Sequence, residues 1–182
     1  WDEVQTGIGI TGSMWAHQAI GVDADLVAFG KKMQVCGCMA GGRIDEEPDN
    51  VFHIKSRINS TWGGNLVDMV RCEKYLQIIH DEKLVENAAT VGAHLLKGLQ
   101  ALQSRHADVL SNARGRGLMC AIDFPDGDVR AAVGNKAYEM GMIILPCGTK
   151  SLRFRPPLDI TAAEVDEALD IIEKATVAVV KK

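Results

Sequence analysis

A lysine just past one short apolar strand and an acid near the start of the chain could together hold a cofactor. Lys31 follows the apolar run Leu26–Phe29 and Gly30, and Asp2 lies in what the pattern predicts to be the end of an earlier strand. Enzymes that use pyridoxal phosphate (PLP) need a lysine amine for a Schiff base and an acid that faces the pyridinium nitrogen. Lys31 and Asp2 fit that chemistry in type and order, although a surface lysine beside an acidic strand end would give the same pattern.

The residues beside Asp2 divide between the two faces of the predicted strand. Because side chains alternate along a strand, Asp2 and Val4 share one face and Glu3 points to the other. Val4 could then pack against the cofactor ring while Asp2 reaches the ring nitrogen. Gln5 could bond the ring hydroxyl if the chain already turns there, which the Thr-Gly pair directly after it allows.

Composition excludes several other classes of function. The chain has 182 residues, 47% of them hydrophobic, and a net charge of −4, enough for one core or for one domain and part of another. The absence of a basic stripe argues against nucleic acid, and no apolar run reaches the roughly 18 residues of a membrane span. Five scattered cysteines indicate a reducing, cytoplasmic compartment, and no metal site is predicted because nothing completes the Cys36-x-Cys38 pair.

Apolar periodicity divides the chain into a glycine-rich first part with short strands and a mostly helical remainder. The predicted fold class is α/β: the end of an α/β domain, a connecting helix and a small α+β domain from about residue 84. Strands are predicted at Leu26–Phe29, Arg114–Phe124, Ile143–Leu145 and Leu152–Phe154. Helices are predicted at Leu66–His80, Leu84–Gln103, Asp128–Met140 and Ala162–Val179, the last with a capping box formed by Thr161 and Glu164.

The glycines of Gly7–Gly12 allow a competing hypothesis. They match the G-x-G-x-x-G pattern of dinucleotide-binding proteins, a motif that is weak alone. The acids that should follow the second strand, Asp23 and Asp25, precede it instead. We therefore expect a glycine loop packed closely against a ligand or a neighbouring chain.

Two polar segments could bind anions. Asn59–Asn65 precedes a predicted helix, where hydroxyls and free N–H groups hold phosphate or simply cap the helix. Arg153 and Arg155 lie on the same side of a predicted strand, where they could hold a carboxylate or form surface ion pairs. The five histidines are far apart in sequence, and we expect them to be solvated or in the core rather than catalytic.

Taken together, several motifs resemble one enzyme family. They occur in the order DEVQTG at Asp2–Gly7, FGKKMQVCG at Phe29–Gly37, NSTWGGN at Asn59–Asn65 and RFRPPL at Arg153–Leu158. They resemble the C-terminal part of class III aminotransferases of PLP fold type I. Ile10 and Trp62, where other members usually carry arginine and phenylalanine, favour the branch of the family that acts on lysine.

The resemblance implies roles for particular residues. Asp2 would pair with the pyridine nitrogen, Val4 would pack on the ring and Gln5 would bond the ring hydroxyl. Lys31 would form the Schiff base with the cofactor, and Lys32 would be an adjacent decoy.

Two more residues receive roles from the resemblance. Thr61 would bind the cofactor phosphate of the partner subunit, so the active site would be shared within a homodimer. Arg153 would anchor a substrate carboxylate, with Arg155 as the alternative.

The resemblance also implies an activity and a domain plan. The ε-amino group of L-lysine would pass to 2-oxoglutarate, giving 2-aminoadipate 6-semialdehyde and glutamate. Residues 1–65 would end the large PLP domain, 66–83 would form a connecting helix and 84–182 the small domain. The chain would be truncated and inactive alone. The alternatives are another ω-aminotransferase, acting on ornithine or 4-aminobutyrate, and a truncated module without catalysis.

Overall fold

The chain forms two compact units. The structure is a computed structural model that describes residues 1–58, 61 and 63–180. The first unit comprises Trp1–Gly9 and Ser13–Leu84, and the second comprises Ile10–Gly12 and the residues from Val85 onward. The functional domains assigned from sequence remain a prediction. What that assignment did not anticipate is that three residues of the glycine-rich segment belong to the second unit.

The first unit is built around a two-stranded antiparallel sheet. Its elements in chain order are helix α1 (Ala16–Ile20), strands β1 (Leu26–Phe29) and β2 (Gly37–Ala40), and helix α2 (Leu66–Asp81). Leu26 pairs with Ala40 and Phe29 with Gly37, so the prediction of β1 is confirmed in its full extent. β1 also pairs with the segment that contains Asp2. β1 is therefore the central strand that positions the residues on both sides of it.

Helix α2 begins and ends close to where the apolar periodicity placed it. The Asn65 side chain caps its first turn by accepting a hydrogen bond from the Val67 N–H at 3.0 Å, as short polar side chains do at helix starts. Only Cys72 and Ile79 of this helix are buried. Beside it lies an apolar cleft of about 650 Å³, lined in part by Phe29 and Met33.

The second unit is a four-stranded antiparallel sheet covered by three helices. Its strands are β3 (Ser111–Arg116), β4 (Met119–Asp123), β5 (Leu145–Cys147) and β6 (Ser151–Phe154), in the spatial order β3-β4-β6-β5. β5 begins two residues further along the chain than the predicted strand Ile143–Leu145. The helices of the unit are α3 (Leu84–Arg105), α4 (Gly127–Glu139) and α5 (Ala162–Val180). Apolar side chains of alternate positions, Cys120 and Ile122 of β4 with Leu152 and Phe154 of β6, join the helices in one buried core.

The sequence predicted one long strand where the structure has a hairpin. Arg114–Phe124 was expected to be continuous, but the chain reverses at Gly117, where φ is +54°, between β3 and β4. A left-handed φ suits glycine because it has no Cβ. The capping box at the start of α5 is confirmed: Glu164 N–H donates to Thr161 Oγ1 at 3.3 Å, and Thr161 N–H donates to Glu164 Oε2 at 2.8 Å.

The glycine-rich segment packs against its own chain. The Leu118 N–H donates to the Ile10 carbonyl at 2.9 Å, and a Cβ on Gly117 would come within 2.5 Å of that same oxygen. A Cβ on Gly12 would lie 3.0 Å from Ala89 of α3. This close approach is to the β3–β4 hairpin and α3 of the same chain. Packing of the loop against a ligand or a neighbouring chain remains a prediction.

None of the helices in the described part of the chain has the length and the apolar character needed to span a lipid bilayer. Within those same residues, no cluster of three or more histidine, cysteine or acidic side chains is arranged to hold a metal ion.

Candidate active site

Two segments of the first unit run side by side in the same direction and end together. Asp2 forms a parallel bridge with Ala28 of β1. The Ala28 N–H donates to the Trp1 carbonyl and the Glu3 N–H donates to the Ala28 carbonyl, both at 2.9 Å. Lys31 follows Ala28 by about 10 Å of extended chain. The pairing therefore brings the acid and the lysine to neighbouring strand ends.

Lys31 lies in a tight turn directly after β1. Its φ is +51°, and the turn is closed by the Met33 N–H, which donates to the Gly30 carbonyl at 3.2 Å, and by the Gln34 N–H, which donates to the Lys31 carbonyl at 2.9 Å. A left-handed residue other than glycine costs on the order of 1–3 kcal/mol, and such residues cluster at functional sites. A Cβ at Gly30 would come within 2.9 Å of Cys36 Sγ, so the position before Lys31 suits a glycine.

The two adjacent lysines have different environments. Lys32 is partly buried, and its Nζ donates to the Gln5 carbonyl at 2.9 Å. Lys31 is exposed, and in the part of the chain that the structure describes its amine takes part in no hydrogen bond or ion pair. A nucleophilic amine must be accessible, so the geometry favours Lys31 over Lys32 for chemistry.

A buried carboxylate that the sequence did not single out stabilises the Asp2 segment. Glu3 is 2% exposed, as alternation along the strand predicts. It accepts hydrogen bonds from the Thr6 hydroxyl, from the His17 N–H at 2.9 Å and from His17 Nδ1 at 3.2 Å. Burial opposes ionisation of Glu3, but these hydrogen bonds outweigh it and hold the pKa of Glu3 below its usual value. His17, expected to be solvated or in the core, is therefore a partner of this carboxylate.

The residues at these strand ends fit the functional groups of PLP. Asp2 is exposed, and its carboxylate accepts the Val4 N–H at 3.0 Å, so it is an accessible acceptor of the kind a pyridinium nitrogen requires. Val4 and Gln5 are half-buried where the chain turns, and they offer an apolar surface and a carboxamide. With Lys31, the set contains an acid, an amine, a polar amide and an apolar contact in one region.

The predicted phosphate segment lies partly outside the described residues. Asn59, Ser60 and Trp62 are among the residues left undescribed, whereas Thr61 is exposed in a turn. Its proposed role toward the phosphate of a partner subunit remains a prediction.

The predicted carboxylate anchor lies in the second unit. Arg153 is half-buried on β6, where it pairs with Ala121 of β4 and Leu145 of β5. Burial and the neighbouring Arg153 charge both lower the pKa of Arg155. Two guanidinium groups that disfavour one another at close range favour an anion placed between them. Whether Arg153 or Arg155 is the anchor stays open.

A lysine and an acid at adjacent strand ends fit what the class of PLP-dependent enzymes requires. Comparison with known proteins agrees. The family model described as "Aminotransferase class-III" matches residues 1–176, and the chain belongs to that family.

Individual relatives extend this result. The chain is 54% identical, over 94% of its length, to an L-lysine-epsilon aminotransferase from Amycolatopsis lactamdurans, and this match covers 38% of the relative. It is 41% identical, over 86% of its length, to human mitochondrial 4-aminobutyrate aminotransferase, covering 31% of that protein.

A solved structure gives the same picture. The lysine aminotransferase from M. tuberculosis superposes with a TM-score of 0.95 and 48% identity, covering 98% of this chain and 41% of that one. The chain therefore spans about two fifths of the length of the lysine-specific relatives it matches.

Proposed function

We propose that these residues are part of a PLP-dependent aminotransferase that moves the ε-amino group of L-lysine to 2-oxoglutarate. The products are 2-aminoadipate 6-semialdehyde and glutamate, and the proposed compartment is the cytoplasm. Sequence identity supports lysine as the amino-group donor. The chain is 54% identical to an L-lysine-epsilon aminotransferase and 41% identical to a 4-aminobutyrate aminotransferase.

The observation that carries this proposal is the pairing of Asp2 with Ala28. The parallel bridge brings an exposed acid and an exposed lysine amine to the same pair of strand ends. Residue types alone are compatible with a surface lysine beside an acidic strand. Their convergence supports a shared ligand.

Each residue then has a physical task. When bound, PLP supplies an electron sink for the carbanion that forms at the amine-bearing carbon. Asp2 would keep the ring nitrogen protonated, because a carboxylate stabilises a proton on a facing nitrogen. Val4 would pack on the ring, and Gln5 would bond its hydroxyl. Lys31 Nζ would hold the cofactor at rest, then take and return a proton during transfer.

The remaining roles concern substrate and partner. Arg153 would hold a substrate carboxylate by a charge-assisted hydrogen bond, with Arg155 as the alternative. Thr61 would reach the cofactor phosphate in a second copy of the chain, so the proposed assembly is a homodimer. Because the chain spans about two fifths of its lysine-specific relatives, we expect residues 1–182 alone to give no lysine-dependent glutamate in a coupled assay.

A borohydride trap tests the cofactor site. The protein is incubated with PLP and reduced, and the labelled lysines are mapped by mass spectrometry. Lys31 should carry most of the label, because its amine is exposed beside Asp2. Lys31→Ala should abolish that label and Lys74→Ala, on the exposed face of α2, should leave it unchanged. Label spread evenly over the surface lysines would contradict a PLP site in this segment.

A second candidate substrate comes from the same family. Identity of 41% to a 4-aminobutyrate aminotransferase favours a rival ω-amine donor, with ornithine as another. The complete protein that contains these residues should be assayed with L-lysine, L-ornithine and 4-aminobutyrate at equal concentrations. The highest kcat/KM is expected for L-lysine, and a higher value for either rival would reassign the substrate.

A further inference from the structure

Lys32 makes a contact that gives it a task of its own. Its Nζ donates to the Gln5 carbonyl at 2.9 Å, joining the turn after β1 to the turn after the Asp2 segment. We propose that Lys32 is a positioning residue, which holds the Asp2–Gln5 segment against the Lys31 turn. This inference rests on the proposed function, since it assigns Lys32 to the same site.

The need for such a link follows from where the main-chain pairing stops. The parallel pairing ends with the Glu3 N–H, which donates to the Ala28 carbonyl at 2.9 Å. Past it, among the described residues, no backbone hydrogen bond joins Val4 to Gly30 or Lys31. The Lys32 ammonium therefore ties the two strand ends together at the point where the backbone no longer does.

The Asp2 segment is then held at two points. On its buried side, the Glu3 carboxylate accepts the His17 N–H at 2.9 Å and the Thr6 hydroxyl. At its end, Lys32 holds the Gln5 carbonyl. Asp2 precedes Glu3 directly, and Val4 lies between the two residues, Glu3 and Gln5, that these contacts hold. A shift of this segment would move the acid relative to Lys31, and small misplacements of catalytic groups are costly.

The chemistry of the contact explains why a lysine suits the position. An ammonium group is a donor only, and a hydrogen bond from a charged donor is stronger than one between neutral groups. Lysine also places that donor at the end of a four-carbon stem, long enough to cross between two turns. Methionine keeps much of the stem without the donor, and arginine keeps the charge.

The test compares Lys32→Met, Lys32→Arg and a control, Lys74→Met. Lys74 is also in the first unit, but its Nζ donates to the neighbouring Gln77 on the surface of α2, at 3.4 Å. Amide hydrogen exchange is read at Glu3 and Ala28. We expect exchange about tenfold faster in Lys32→Met, since one charged hydrogen bond is lost. Exchange should return toward the wild-type rate in Lys32→Arg and stay at that rate in Lys74→Met.

A second readout concerns the site itself. The share of PLP and borohydride label carried by Lys31 should fall several-fold in Lys32→Met and recover in Lys32→Arg. A role in general folding alone would accelerate exchange throughout the first unit instead. Lys32→Gln, which keeps a donor on a shorter side chain, should resemble Lys32→Met and serves in its place if the methionine variant does not fold.

The outcomes separate the two proposals. Unchanged exchange at Glu3 and Ala28, with an unchanged Lys31 share, would overturn the role of Lys32 and leave the cofactor site standing. A wild-type protein whose Lys31 is not labelled preferentially would count against the proposed function. The exchange rates would still decide whether Lys32 holds the segment.

Discussion

At the scale of single residues, Asp123 is a strongly perturbed carboxylate of the second unit. It is 6% exposed and accepts hydrogen bonds from Ser151 at 2.5 Å, Asn112 at 2.9 Å and Arg114 at 2.7 Å. Burial alone would raise the pKa of Asp123, but these partners together lower it to about 2. The group joins β3, β4 and β6 on the face of the sheet that also carries Arg153.

This shift makes stability depend on pH. The folded pKa of Asp123 lies below its ordinary value of 3.8, so its contribution is present above about pH 4 and is lost as pH falls toward 2. The ionised Asp123 contributes about 2 kcal/mol to the free energy of unfolding. Asp123→Asn should lower the free energy of unfolding by about 2–3 kcal/mol at pH 7 and flatten the loss between pH 4 and 2. Urea denaturation at pH 7 and pH 3 measures both.

The control is the exposed Asp108. Asp108→Asn should change the free energy of unfolding by less than about 0.5 kcal/mol at either pH. If Asp123→Asn behaves like Asp108→Asn, the hydrogen bonds around Asp123 do not stabilise the sheet.

Residue types were sufficient to predict the chemistry of the first unit. They did not reveal the contacts that hold its reactive residues in place. Asp2 and Lys31 were found because PLP chemistry requires an acid and an amine. The partners of Glu3 were not found, because His17 lies 14 positions along the chain and no periodicity connects them. Lys32 was interpreted as a decoy because the sequence does not show its contact. That contact, from Lys32 Nζ to the Gln5 carbonyl at 2.9 Å, is seen only in the structure.

At the scale of elements, the apolar periodicity predicted the helices correctly but did not predict the turn between β3 and β4. The predicted helix Leu66–His80 is Leu66–Asp81, and Ala162–Val179 is Ala162–Val180, because an apolar face repeats regularly over many residues. The β3–β4 hairpin was missed because its turn is short and one strand, Ser111–Arg116, is almost wholly exposed. An exposed strand lacks the alternating pattern from which strands are predicted.

Two helix glycines, Gly92 of α3 and Gly134 of α4, differ in how closely other atoms approach them. A Cβ on Gly92 of α3 would lie 2.1 Å from the backbone of Gly117, whereas a Cβ on Gly134 of α4 would meet only Leu152 Cδ2 at an ordinary 3.6 Å. Gly92→Ala should therefore destabilise the protein by about 1–3 kcal/mol or more. Gly134→Ala should stabilise it by about 0.5–1 kcal/mol, because alanine favours helix.

Thermal or urea unfolding of both variants provides the measurement. The chemical change is the same in each helix. Opposite signs of the change in unfolding free energy would therefore show that close packing at Gly92 causes the difference. A stabilising Gly92→Ala would mean that α3 does not approach the β3–β4 hairpin as closely as the structure shows.

At the scale of the whole molecule, helix α2 leaves much apolar surface uncovered. Its exposed side chains include Leu66, Val67 and Val70, which are 77%, 65% and 68% exposed. Residues three and four apart lie on the same side of a helix, so these three form one apolar stripe. Apolar patches of this kind mark surfaces that associate, and the proposed homodimer supplies a second copy as the occupant.

We expect the 182-residue chain to self-associate in a concentration-dependent way, which sedimentation velocity measures. Val70→Glu should weaken association by about tenfold, because it removes roughly 1.5 kcal/mol of apolar burial and places a charge in the interface. Ala101→Glu, at an exposed position of α3, adds the same charge elsewhere and should leave the association constant unchanged. Equal weakening by both variants would point to net charge. No weakening by Val70→Glu would remove the α2 stripe from the interface and require the second copy to bind another surface.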